Sequence, residues 1–248
     1  MNARMGCFVL VLCSATASAT TPLQPRFAIA NFNAPLVVDN PWWPLQPGTR
    51  TVFHGLEDGE CQVTEVVVAK DAKRDFHGAY AGLAARVVVD RVWADPLCDG
   101  RHGVLLEDTL DWYAQDNGGN VWYVGESTVE YLYDDAGHRI GSSTEGSWEA
   151  GRDGAQAGIV MFRHPVLGQF YRQEYFAGEA EDEARNERVG IRFETRLGRF
   201  HDCLKTRETT PLSPGDYEFK YYCRNIGLVR VEAPLLHGGA ELVSFGLR

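Results

Sequence analysis

From about residue 41 onward almost every apolar segment of this chain reads as strand, and turn residues close each run. Such a pattern leaves sheets as the means of burying the apolar side chains. Cys61–Lys70 (CQVTEVVVAK) and Leu83–Trp93 (LAARVVVDRVW) are β-branched runs separated by a polar connection. Val104–Tyr113 alternates, with Val104, Leu106, Leu110 and Trp112 on one face and Leu105, Glu107, Thr109, Asp111 and Tyr113 on the other. Asp108 interrupts the apolar stripe, so it is expected beside a bulge or buried against a partner such as Arg86 or Arg91. Asp116-Asn117-Gly118-Gly119-Asn120 supplies residues that tolerate positive φ and forms a tight turn, with Val121–Glu126 returning as hairpin partner. Further strands are expected at Thr128–Asp134, Gly168–Ala177, Arg199–Thr209, Asp216–Arg224, Leu228–Glu232 and Glu241–Leu247. Ala177–Arg188 fits a helix or a polar edge strand, and its neighbours favour the strand.

The fold class that follows is mainly β: a single antiparallel, strongly curved sheet or incomplete β-barrel, occupying residues 41–248 as one domain. Residues 20–40, with Pro22, Pro25 and Pro35, read as an N-terminal linker. Gly141–Pro165 breaks the meander with five glycines and no sustained period. A connection this long inside a compact domain is functional or disordered, and Trp148 at its centre favours order. It is expected to cover a sheet face or the mouth of a barrel.

Compartment is legible at the N-terminus. Arg4 precedes a compact apolar run, Gly6–Cys13, and Ala17-Ser18-Ala19 offers a small-x-small cleavage site, so residues 1–19 read as an export signal. The rival is a lipoprotein anchored through Cys13, but Leu12 stands where a small residue is required. Cys61, Cys98, Cys203 and Cys223 remain after cleavage, an even number in an oxidising compartment. Pairing Cys203 with Cys223 sets Lys205 beside Tyr221 and Arg207 beside Phe219 across an antiparallel pair. It also sets Glu208 opposite Glu218, which is unfavourable unless Lys220 intervenes. Cys61–Cys98 follows by elimination. The product is exported, periplasmic or secreted. Lys+Arg 24 against Asp+Glu 34 leaves a net charge of −10, which argues against a nucleic-acid partner. No apolar run reaches the roughly 18 residues of a transmembrane segment.

Four stretches, Asn40–Thr49 (NPWWPLQPGT), Asp111–Glu126 (DWYAQDNGGNVWYVGE), Gly146–Ile159 (GSWEAGRDGAQAGI) and Gln173–Asp182 (QEYFAGEAED), resemble a family of secreted bacterial proteins and lipoproteins with no assigned activity. The resemblance spans about residues 40–245. It implies export and a single domain, and it carries no catalytic residues to transfer.

No GxSxG, HExxH, P-loop or dinucleotide fingerprint is present, and the seven histidines are dispersed. What remains is carboxylates interleaved with aromatic residues. Asp111 and Glu126 flank the tight hairpin with Trp112, Tyr113 and Trp122, and Trp148 centres the Gly-rich segment. On Gly168–Ala177 one face holds Phe170, Arg172, Glu174 and Phe176, the other Tyr171, Gln173 and Tyr175. If the Phe face is buried, Arg172 and Glu174 must pair or serve a ligand.

The expected function is an exported protein that binds a small apolar, aromatic or glycan-like ligand in a cleft. Its walls would come from Trp112, Tyr113, Trp122, Trp148, Arg172, Gln173 and Tyr175. The alternative is a secreted hydrolase or lyase acting on glycans, with Glu174, Glu126 and Asp111 as its acids. A blander reading is a partner-binding protein that uses a sheet edge. No cofactor is implied. Calcium at Asp116, Asn117 and Asn120 is chemically possible, but hairpin geometry alone explains that turn.

Overall fold

The computed structural model describes residues 21–57, 59–235 and 237–247. The export signal over 1–19 and the rival anchor at Cys13 lie outside them. Strands take up 56% of the chain and helix 3%. The first eight strands are β1 (Thr49–Glu57), β2 (Glu60–Lys73), β3 (Ala85–Ala94), β4 (Leu105–Gln115), β5 (Val121–Tyr133), β6 (Arg139–Ser143), β7 (Trp148–Glu149) and β8 (Gln156–Met161). The remainder are β9 (Phe170–Arg172), β10 (Glu174–Tyr175), β11 (Glu183–Thr195), β12 (Gly198–Thr209), β13 (Glu218–Cys223), β14 (Gly227–Ala233) and β15 (Gly238–Leu247).

All belong to one 15-stranded antiparallel sheet ordered β10-β8-β5-β4-β3-β2-β1-β15-β14-β13-β12-β11-β9, with β6 and β7 also on β5. A twisted sheet of more than about ten strands curls, and this one curls into a nearly closed barrel with a single seam. The residues read as a helix or edge strand at 177–188 run into β11.

One segment spans the seam. Arg172 on β9 pairs with Glu183 of β11, and two residues later Glu174 on β10 pairs with Ala157 of β8. The chain thus changes sheet partner at Gln173. That crossing needs Gly158, because a Cβ there would stand 2.3 Å from the Gln173 carbonyl carbon and 2.6 Å from the Arg172 oxygen. Leu23 joins β9 on its other side, donating its N–H to Phe170 O and accepting from Arg172 N.

The Gly-rich stretch expected to cover the sheet instead builds wall. Its strands β6, β7 and β8 dock successively along the long strand β5. The glycines bend the chain between these short docking sites, with positive φ at Gly146, Gly151 and Gly154.

Residues 21–48 pack closely, with Phe32, Val38, Asn40 and Trp42 all buried. Asn40 donates to Gly119 O at 2.8 Å, and Pro41 O accepts from Asn225 N at 2.7 Å, so the Asn40–Pro44 turn spans one mouth of the barrel. Arg86 donates to Leu36 O at 2.9 Å beside it. Trp43 packs at a tilt between Tyr113 of β4 and Tyr222 of β13, 5.5 and 5.4 Å between ring centres, and so joins distant parts of the wall.

Three apolar clusters hold the structure. One lies inside, around Val68, Val88, Tyr113, Leu204 and Tyr222. A second packs Phe27, Phe32, Tyr80 and Leu83 onto Ala114, Trp122 and Val124 outside the wall. The third surrounds Cys203–Cys223 with Phe53, Val229 and Leu242.

Both disulfides form as expected, Cys61–Cys98 and Cys203–Cys223, and they fit an oxidising, extracytoplasmic compartment. Among the described residues no helix is long and apolar enough to cross a membrane. The β12–β13 register is the anticipated one: Cys203↔Cys223, Lys205↔Tyr221, Arg207↔Phe219, Glu208↔Glu218. Lys220 relieves the opposed acids, its Nζ 2.8 Å from Glu208 and 3.6 Å from Glu218.

β4 corrects the sequence reading. Thr109, Asp111 and Tyr113 are buried while Leu110 is exposed, so the polar face is the inner one. Asp108 stands on the outer stripe and pairs with Arg91 at 3.0 Å.

Two outcomes follow. Gly158→Ala forces the seam crossing away from β8 and destabilises by about 1–3 kcal/mol, read by urea unfolding monitored by far-UV circular dichroism. Removing each disulfide as a double Cys→Ala variant costs about 3 kcal/mol for Cys203–Cys223 and nearer ~4 kcal/mol for Cys61–Cys98. That order follows from the longer loop, 37 residues of separation against 20; the reverse order in melting temperature would contradict it.

Candidate functional site

Strand register assembles the site. Val88 lies opposite Asp111, Asp111 opposite Glu126, and Glu126 opposite Trp148, a continuous row across β3, β4, β5 and β7. The parallel row beside it runs Asp90, Thr109, Thr128. On the other side come Tyr113, Tyr123 and Gly158. Because alternate residues share a face, Val88, Asp90, Thr109, Asp111, Tyr113, Tyr123, Glu126 and Thr128 share the inner one.

A cavity of about 260 Å³ occupies the lumen. Its wall includes Trp43, Val88, Asp90, Asp111, Tyr113, Lys220 and Tyr222. A barrel with this many strands is too wide for side chains to fill completely.

Burial and mutual repulsion set the protonation of the acids. Asp90 is pushed up to about 7, first by desolvation and then by Glu107 and Glu126 nearby. Asp111 is raised well above the usual carboxylate range by burial and Asp90, although the Tyr123 hydroxyl donates to it at 2.7 Å. Burial also raises Glu126 and Glu174.

Glu107, Thr109, Thr128 and Glu126 form a chain of oxygen contacts of 2.7, 2.7 and 3.1 Å. Thr109 donates to Glu107 and Thr128 to Glu126, and the two hydroxyls meet between them.

Lys220 behaves oppositely. Glu208 and Glu218 keep it charged despite burial. Glu208 also accepts from the hydroxyls of Tyr222 and Thr206, both at 2.9 Å.

The expected acids therefore share one interior, but only Asp111 lines the cavity; Glu126 and Glu174 lie in the surrounding wall. Among the expected aromatics, Tyr113 lines it. Trp148 is buried in the wall, edge-on to Tyr123 at 5.3 Å, with its indole N–H near Glu126 and Glu174.

Other expected ligand residues lie elsewhere. Trp122 faces the outer cluster and donates to Asp116 at 2.9 Å, while Trp112 carries the Lys73 ammonium 4.5 Å from its ring centre. Arg172 stacks on Tyr175 and approaches Glu181 and Glu183 at 3.9 and 3.8 Å.

On this segment Tyr171, Gln173 and Glu174 are the buried residues, not the Phe face. The change of sheet partner at Gln173 breaks the alternation and turns Glu174 inward as well. The oxygens considered for calcium at Asp116, Asn117 and Asn120 accept hydrogen bonds from Asn120, Trp122, Asn33 and Arg163.

Asp90, Lys220, Trp43 and Tyr222 went unassigned as lumen residues in the sequence reading. Asp90 had a visible signal, a lone acid inside the run Val87–Trp93. Trp43 had none, since its place depends on a turn that returns to the barrel mouth.

No family model and no curated protein sequence matches the chain. A solved structure described as a "putative lipoprotein" from Parabacteroides distasonis ATCC 8503 is similar at 14% identity, covering 83% of this chain and 98% of that one, with a TM-score of 0.39.

The inward acids make stability depend on pH. A carboxyl whose folded pKa is raised binds its proton more tightly in the native state, so stability falls as pH rises from the unfolded value, about 4, through the folded one, near 7 for Asp90. Chemical denaturation from pH 4 to 8 is expected to show that decline. Asp90→Asn should flatten it by up to about 4 kcal/mol, whereas an unchanged slope would contradict the assignment.

Proposed function

We propose that this protein is an exported binding protein, periplasmic or secreted, that holds a small, partly apolar guest inside its barrel. The cavity carries this reading: about 260 Å³, with Trp43, Tyr113 and Tyr222 offering flat surfaces and Asp90 and Asp111 offering polar contacts. An apolar cavity of about 150 Å³ already accepts benzene, so a single ring with a short substituent is a suitable size. Convergence of a few polar groups within apolar walls is the usual character of a small-molecule site.

Hydrolysis is less well supported. Of the three acids considered, Glu126 and Glu174 do not border the cavity, so the trio does not flank a substrate bond there.

Trp43 is the natural reporter. Titrating the protein with a one-ring aromatic alcohol is expected to give a saturable change in tryptophan emission. Most of that change should disappear in Trp43→Phe. Val88→Trp, which fills the lumen from β3, should abolish binding, and an unaltered titration in that variant would refute a lumen site.

A further inference from the structure

The polar groups on the cavity wall are unequally provided for. Lys220, the cation that borders the cavity, is held by Glu208 at 2.8 Å and Glu218 at 3.6 Å. Arg86, also inward on β3, donates to backbone carbonyls at the mouth, with Leu36 O at 2.9 Å. Neither makes an ion pair with Asp90 or Asp111 among the described residues.

Asp111 accepts one hydrogen bond, from Tyr123. The Oδ1 atom of Asp90 is buried and has no hydrogen-bond partner among the described residues. Buried acceptors are ordinarily satisfied, and one that is not calls for an explanation. Here the acceptor belongs to a side chain bordering a cavity whose mostly apolar wall includes Trp43, Tyr113 and Tyr222.

The three rings around Asp90 and Asp111 matter as well. Trp43 packs between Tyr113 and Tyr222, and all three border the cavity. Indole and phenol faces are electron-rich and attract a cation placed over them. A cation beside Asp90 and Asp111 favours their ionised forms, which burial and mutual repulsion otherwise oppose, whereas an anion would meet both acids directly. Among the described residues no three His, Cys, Asp or Glu side chains are close enough to hold a metal ion. A positive charge carried on an organic body meets both requirements.

Resting on the lumen-binding reading above, we propose that the guest is an organic ammonium ion. Its charged nitrogen is directed at Asp90 and Asp111, and its apolar part lies against Trp43, Tyr113 and Tyr222.

The test compares three one-ring probes by isothermal titration of the whole protein at neutral pH: phenethylamine, 2-phenylethanol and phenylacetate. Phenethylammonium is expected to bind at least ten-fold more tightly than the alcohol, and the carboxylate most weakly. Asp90→Asn should bring the amine to within about three-fold of the alcohol measured in the same variant.

An alcohol as tight as the amine in the wild-type protein overturns the cation proposal and leaves the lumen site standing. So does an Asp90→Asn variant that keeps the full preference. If none of the three probes binds, or if all bind equally in Val88→Trp, the lumen site itself is refuted. Should Asp90→Asn not fold, the amine-to-alcohol ratio in the wild-type protein decides the matter alone.

Discussion

Closure of the wall depends on one close approach, the backbone of Gln173 passing over Gly158. On either side of that point a single segment pairs first with β11 and then with β8. The junction supports more than shape. It encloses the row Asp111–Glu126–Trp148, and enclosure is what keeps the acids desolvated. Open the seam, and water would return the carboxyls to ordinary behaviour, removing the electrostatic character of the lumen with the geometry.

Such an interior is unfavourable to build. Charged carboxylates without partners are expensive to bury, and this protein meets the difficulty in two ways. Glu208 and Glu218 are given a lysine, with Tyr222 and Thr206 completing the hydrogen bonds of Glu208. Glu126 and Glu107, by contrast, accept from the hydroxyls of Thr128 and Thr109, which touch each other. The compensation lies in the apolar clusters around this core and in two covalent ties. Asp90 has no ion pair among the described residues, feels Lys220 only at a distance, and lacks a complete set of donors. Its unfinished environment sits beside the cavity, where an incoming molecule can complete it.

How much of this was legible in the sequence depends on where the information resides. The β12–β13 pair could be read residue by residue, since a disulfide fixes the register and the register then requires Lys220 between two acids. The sheet class was equally plain from β-branched runs and turns. The inner and outer faces of β4 were not. Alternation states that two faces differ, and the usual inference puts the apolar one inside. In a lumen lined with acids that inference inverts, leaving Leu110 exposed and Asp111 buried. Convergence of Asp111, Glu126 and Glu174 was anticipated on composition alone. Their unequal access to the cavity arises from pairings between β5, β7, β8 and β10, which no local pattern encodes.

The wall is also joined at a place remote from the seam. β1 lies antiparallel to β15, with Thr49 opposite Leu247, so a strand near the start of the barrel waits for the last one to arrive. Contacts across so great a stretch of chain make folding slow, on the millisecond-to-second scale or beyond. Until then both strands present unpaired edges, a template for aggregation. Nascent chains of this topology therefore remain vulnerable until synthesis has passed residue 247. Assembly is governed less by any single hairpin than by the delay before the two ends of the meander meet.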